Sequence, residues 1–257
     1  MSHTAGIRQA QKLRTRQALL DAALGLLEGQ SLSSLGLREV TRAAGVTPTA
    51  FYRHFDDTAA LGVALVEEAL GSLHGMIGAM LAETGDSEER LDRCVELISR
   101  HVREQPAHFR FIAREQHGGV GPVREAIAAQ LRRFAEEVAA ALAEEPQSRG
   151  WSEEDLLMLG GLYVDHMVIT ASALLDAGPE GEQQVAGVAR RRLRLVTLGR
   201  LHWLDGAGSA GGADSADSAD SADSADSADS ADSADSAGGA DSAGGADSAG
   251  ASGPARP

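Results

Sequence analysis

A single cysteine, Cys94, among 257 residues excludes an intrachain disulfide and any zinc site built from several thiolates. It agrees with a reducing compartment. Strand signals are missing too: β-branched alternation never runs for the length of a strand, so no sheet is expected. No apolar run approaches the ~20 residues that a membrane-spanning helix needs, and the N-terminus lacks the short apolar core of a signal peptide. A cytoplasmic location without a membrane partner is the expectation. Catalytic signatures are equally lacking, with no Gly-rich phosphate loop after a strand, no nucleophile elbow and no twin zinc-ligand motif. His101, Glu104 and His108 have the i, i+3, i+7 spacing of metal ligands on one helical face, but Pro106 intervenes and breaks that helix. No enzymatic activity, catalytic residue, metal or cofactor is expected.

What the chain does have is charge, unevenly placed. The net charge is −15, which taken alone argues against nucleic acid. Yet residues 1–55 carry seven basic side chains against three acidic ones. A basic head on an acidic body would turn DNA toward the head. From Gly206 onward the sequence reduces almost entirely to Ala, Asp, Ser and Gly, with Ala-Asp-Ser triplets repeating from Ala213 to Ser236. A segment with so little apolar surface cannot offset its ordering entropy, so 206–257 is read as a disordered acidic tail. The Asp repeat lacks the loop pattern and bidentate Glu of a calcium loop.

Before the tail, apolar residues recur at helical spacing, as at Leu13, Leu20, Leu24 and Leu27. The fold class is all-α, with helices predicted over 9–28, 37–44, 48–54, 58–83, 87–105, 107–116, 121–145, 153–176 and 181–204. Gly29 to Gly36, Gly45, Pro106, Gly118-Gly119, Pro146 to Gly150 and Gly178-Pro179 supply the breaks. Three short helices make a head over 1–55, and longer ones make a body over 56–205.

The segment 36–55 carries the functional argument. Leu37, Val40 and Ala44 share one face of a first helix, and Gly45 accepts the left-handed turn after it. Thr47 can cap a second helix that Pro48 opens at no hydrogen-bond cost. On that second helix Phe51 and Phe55 lie together and must face the core. Thr49 and Arg53 then point away from it with Ala50 nearby, while Tyr52 and His54 project to either flank. This shape suits a major groove, with small Thr49 and Ala50 at the bases and Tyr52 and His54 at the phosphates. An ordinary αα-corner with core aromatics would share much of the pattern. The basic residues weigh against it, because Arg14, Thr15 and Arg16 on the first helix, with Arg38, suit phosphate grip.

The segment resembles the DNA-binding domain of TetR-type repressors in Ala44-Gly45-Val46 followed by Tyr52-Arg-His-Phe55, and residues from about Gln9 to Trp203 have that family's length and helix order. The resemblance implies a helix-turn-helix head and a helical ligand-binding and dimerisation body, reading palindromic double-stranded operator DNA as a homodimer. Asp57-Thr58 stand where most members carry a Lys. Leu37-Arg-Glu-Val, Pro48-Thr49, Phe51-Tyr-Arg-His-Phe55 and Phe109-Arg-Phe-Ile-Ala-Arg-Glu115 with Gly118 are most similar to the FabR-like subgroup, which represses unsaturated-fatty-acid synthesis. That likeness implies an acyl-CoA or acyl-carrier-protein-linked effector; a drug-like or other small metabolite controlling an efflux or catabolic gene is the alternative.

Helices 153–176 and 181–204 are apolar on more than one face, so each should bury a second side; by resemblance they pair with their copies in a four-helix bundle. The basic run Arg190 to Arg194 reads as salt-bridged surface rather than DNA contact. An effector pocket is expected between helices from 58 to 176, where Gly71, Gly75, Gly78 and Ala79 leave room or simply allow close packing. Arg110 and Arg114 are candidate partners of an acyl-CoA phosphate, and Tyr163 and His166 candidate ligand contacts, with satisfied core or surface roles as the competing reading.

Overall fold

A computed structural model of the chain describes residues 2–82 and 87–210. Apart from its first residues, the acidic tail lies outside them. Eight α-helices follow in order: α1 (Ser2–Leu27), α2 (Leu37–Ala43), α3 (Pro48–Phe51), α4 (Thr58–Ala82), α5 (Ser87–Glu104), α6 (Pro106–Glu115), α7 (Gly121–Ala143) and α8 (Glu153–Ala210). Short 3-10 turns at Leu32–Ser34 and Pro146–Ser148 sit before α2 and α8. Among the described residues there is no strand, as the missing alternation predicts.

The head is held by an apolar cluster in which Leu19, Leu20, Ala23 and Leu27 of α1 meet Val40 of α2 and the buried rings of Phe51 and Phe55. Each such large side chain contributes about 1.5–3 kcal/mol on burial. The same cluster continues through Leu61 and Leu65 of α4 into Phe109, Phe111, Ile127 and Phe134 of the body. Head and body thus share one core.

Within the body α7 packs between α4 and α8. Gly160 of α8 lies so close to α7 that a Cβ there would collide with the Ala135 carbonyl oxygen. At Gly178 the backbone leaves helical geometry, with φ 62° and ψ −173°, and Pro179 restarts it. α8 is therefore two arms joined at the break the Gly-Pro pair predicts.

Several boundaries differ from expectation. α1 starts at Ser2 rather than residue 9, and its early turns extend past the head, leaving Leu13 exposed instead of buried. The second helix of the motif is shorter than 48–54: α3 ends at Phe51, and Tyr52 to His54 form a turn closed by His54 N–H to the Phe51 carbonyl, 2.8 Å. Helical backbone runs to Ala210, past the expected boundary at 205. α4 and residues 153–203 also contain windows long and apolar enough to cross a membrane, against the sequence expectation. Leu61, Leu65, Leu70 and Leu73 of α4 are, however, buried in the core described above.

The α7–α8 crossing predicts a sign difference between two glycines. Gly160→Ala should lower unfolding stability by about 1–3 kcal/mol through overpacking. Gly71→Ala, with nothing within 4 Å of its Cβ position, should raise it by up to about 1 kcal/mol through helix propensity. Urea unfolding followed by circular dichroism measures both, and equal effects would contradict the crossing.

Candidate nucleic-acid interface and effector cavity

Local chemistry builds the head's exposed surface. Gly45 takes φ 67° and turns the chain between α2 and α3. Thr47 caps α3, its Oγ1 accepting from Ala50 N–H at 3.2 Å, and Pro48 fills the first turn. Glu39 accepts from Gly36 N–H at 3.1 Å and fixes the start of α2. Phe51 is fully buried and packs 5.6 Å from Phe55. With those rings inward, Tyr52 is left 60% exposed although it touches the edge of Phe51. Thr47, Thr49 and Arg53 are exposed with it, and Ala50 and His54 are half-buried beside them. The short α3 and its turn thus present the expected group on one contiguous stretch.

On α1, Arg14 is exposed, and Thr15 donates to the Gln11 carbonyl oxygen at 3.0 Å. The Arg16 guanidinium lies over the Phe55 ring at 4.8 Å. Arg38 is exposed on α2. Partial burial, with Lys12, Arg16 and Arg53 around it, holds the His54 imidazole below its ordinary pKa. These cations and His54 form a positive neighbourhood on the head.

The head is tied to the body by α6. Arg114 donates to the carbonyl oxygens of Leu27 and Gln30, both at 2.6 Å, just past the end of α1. Its neighbour Glu115 is buried, and its Oε1 accepts from Leu32 N–H at 2.9 Å. Gly118 must lack a side chain, because a Cβ there would run into the Glu115 carboxylate. Phe109, Ile112 and Ala113 of the same helix line a cavity in the body.

That cavity has about 1350 Å³ of atom-free space, part of it open to solvent. Leu70, Leu73, Ile77, Met80, Phe134, Val164 and Met167 make much of its wall. Among the described residues, its charged lining is Arg90 of α5, Glu145 after α7, and Arg200 of α8. Arg90 and Arg200 both donate to the Glu145 carboxylate, Arg200 Nη2 to Oε2 at 2.7 Å. Beside them Tyr163 and Thr197 share a hydroxyl hydrogen bond of 2.8 Å, and burial raises the Tyr163 pKa.

Of the four expected ligand contacts only Tyr163 lines this cavity. Arg114 is occupied at the head. Arg110 borders a separate depression with Arg103 and Glu182. His166 Nε2 sits 3.3 Å from the Ala189 carbonyl oxygen, tying the two arms of α8 together. The expected source of space is also corrected: Gly71, Gly75, Gly78 and Ala79 are exposed on the outer side of α4, and the cavity reaches past residue 176 to Leu193, Thr197 and Arg200. Arg200, alone among Leu198, Leu201 and Trp203, was the available sequence signal; Glu145 had none. His101, Glu104 and His108 fall on either side of Pro106, which opens α6, with His101 edge-on to Phe109.

Both arms of α8 leave large apolar side chains exposed, Leu157, Met158, Leu162 and Ile169 on the first and Leu195, Leu198, Leu201 and Trp203 on the second. Arg190 and Arg194 instead pair with Asp92 and Glu88 of α5, at 3.0 and 2.9 Å, as a surface role requires.

Residues 19–65 match the family described as bacterial regulatory proteins, tetR family. Solved structures share the fold at low identity. A putative TetR-family transcriptional regulator from Syntrophomonas wolfei aligns with a TM-score of 0.60 at 14% identity, covering 71% of this chain and 95% of that one. FadR from Bacillus subtilis, solved in complex with stearoyl-CoA, gives 0.55 at 14% identity over 67% and 96%. NalD from Pseudomonas aeruginosa, the secondary repressor of the MexAB-OprM multidrug efflux pump, gives 0.52 at 19% identity over 74% and 97%.

Cys94 supplies a test of the cavity wall it belongs to. Burial pushes its thiol pKa up to about 11, beside the Met167 sulfur at 3.6 Å. At pH 8 an aromatic disulfide reagent should label it far more slowly in the native protein than after unfolding in urea. Rapid stoichiometric labelling of the native protein would show that the wall is open.

Proposed function

We propose that this TetR-type transcription regulator is a homodimeric repressor that binds palindromic operator DNA in the cytoplasm and responds to a long-chain acyl effector, controlling genes of fatty-acid metabolism. The observation that carries the effector reading is the position of α6, whose Arg114 and Glu115 hold the head while its Phe109 and Ile112 line the cavity. A ligand that fits the cavity in only one setting of α6 would bias the setting of the head, by no more than its differential affinity for the two states.

In this reading Thr49 and Ala50 meet base edges in the major groove. Tyr52, Arg53 and His54 reach the phosphates on its walls, joined by Thr47, Arg38, Arg14 and Thr15. The Lys usual after the motif is replaced by Asp57-Thr58, and Asp57 instead accepts from Ala60 N–H at 2.7 Å at the start of α4. The exposed apolar stripe of α8 is the surface offered to a second copy, which would set two α3 helices in successive grooves about 34–36 Å apart. The likeness to FadR and the FabR-like segments 37–55 and 109–118 support the lipid reading. The likeness to NalD supports a second reading, in which the same head serves an efflux or catabolic gene and the cavity takes a drug-like or other small metabolite.

Selection of genomic fragments by the purified protein tests the DNA reading. The expected result is a palindrome upstream of lipid genes, lost when Thr49, Tyr52 and Arg53 are all replaced by Ala. Arg14→Ala should weaken binding across sequences and flatten the salt dependence by about one unit of slope. Failure of the wild type to enrich any sequence at moderate salt would defeat the repressor reading.

A further inference from the structure

We propose that Arg90, Glu145 and Arg200 form an anion subsite in the cavity wall, and that it takes the free carboxylate of a long aliphatic acid rather than a thioester or a cationic ligand. The inference rests on reading the cavity as the effector site and narrows the head group that site accepts.

Charge is the first argument. Two guanidiniums, which stay protonated in proteins, face one carboxylate, and among the described residues no other charged side chain lines the cavity. The cluster therefore carries an excess positive charge in a largely dry place: the Arg200 side chain is 2% exposed, Glu145 15% and Arg90 21%. Uncompensated charge is costly there, and a bound monoanion would neutralise it.

Donor bookkeeping gives the second. A guanidinium offers five N–H groups. Arg200 spends its terminal nitrogens on Glu145 Oε2 at 2.7 Å and on Ser148 Oγ at 3.5 Å, while its Nε is buried without a hydrogen-bond partner. A carboxylate supplies the missing acceptor in the planar form a guanidinium matches, and the Tyr163–Thr197 hydroxyl pair lies beside it. A methyl ester of the same chain brings no charge, a CoA thioester carries its charge on phosphates well beyond the thioester group, and a cation meets two guanidiniums. The rest of the wall, aliphatic and aromatic, suits the hydrocarbon chain.

Binding of palmitate, methyl palmitate, palmitoyl-CoA and a hexadecyl trimethylammonium salt to the full chain, below their micellar concentrations, tests this by displacement of a fluorescent apolar probe. The wild type should bind palmitate about tenfold or more tighter than the methyl ester, the scale of one charge-assisted hydrogen bond, and the ammonium salt worst. Arg200→Met and Arg90→Met should each abolish the acid-over-ester preference. Glu145→Gln, which removes the resident competitor for both guanidiniums, should tighten palmitate alone. Arg90 is the less buried arginine, so its variant carries the test if Arg200→Met fails to fold. Equal binding of acid and ester, a preference that survives either arginine variant, or tighter binding of palmitoyl-CoA would each overturn the head-group assignment while the effector cavity stands. Binding of none of the four would remove the cavity reading and this inference with it.

Discussion

The buried bond between the Glu115 carboxylate and Leu32 N–H is the constraint on which the relation of head to body depends. A carboxylate out of water is tolerated only where donors meet it, and here the donor is a backbone group in the connection between α1 and α2. Arg114, one residue earlier, takes the carbonyl oxygens of Leu27 at the end of α1 and of Gln30 in the connection after it. Two adjacent side chains of α6 therefore fasten the first half of the same connection, and Gly118 leaves room for the Glu115 carboxylate. With Leu61 and Leu65 of α4 also in the shared core, the α3 surface has little freedom to tilt unless α6 moves with it.

The same helix also reaches the cavity: Ile112 lines it two residues before Arg114 meets the end of α1. Elsewhere in the body α7 and α8 approach so closely at Gly160 and Ala135 that no side chain fits between them.

The exposed face of the helix-turn-helix was legible in the sequence because it is local. Gly45, Thr47, Pro48, Phe51 and Phe55 lie within eleven residues and dictate turn, cap, start and buried face by their own chemistry, so Tyr52, Thr49 and Arg53 had to point outward. The cavity was not legible, for the opposite reason. Arg90, Glu145 and Arg200 are 55 residues apart at each step, and nothing in the neighbourhood of any one of them announces the others. Arg114 misled for a related reason: a basic residue beside apolar ones suits a ligand phosphate and a helix end equally well, and only the position of α1 decides between them. The glycines of α4 misled because smallness has no direction until a helix is placed, and theirs faces outward.

By itself the sequence determined the helical fold of the described residues, its breaks at glycine and proline, the helix-turn-helix and the uneven charge that makes the head basic. These follow from interactions spanning a few residues, whose geometry the backbone fixes in advance. Tertiary structure alone decided which arginines meet a carboxylate, which helix joins cavity to head, and which apolar faces of α8 remain uncovered. Those outcomes depend on how helices distant in sequence are brought together, and burial and charge compensation act only once they are in contact.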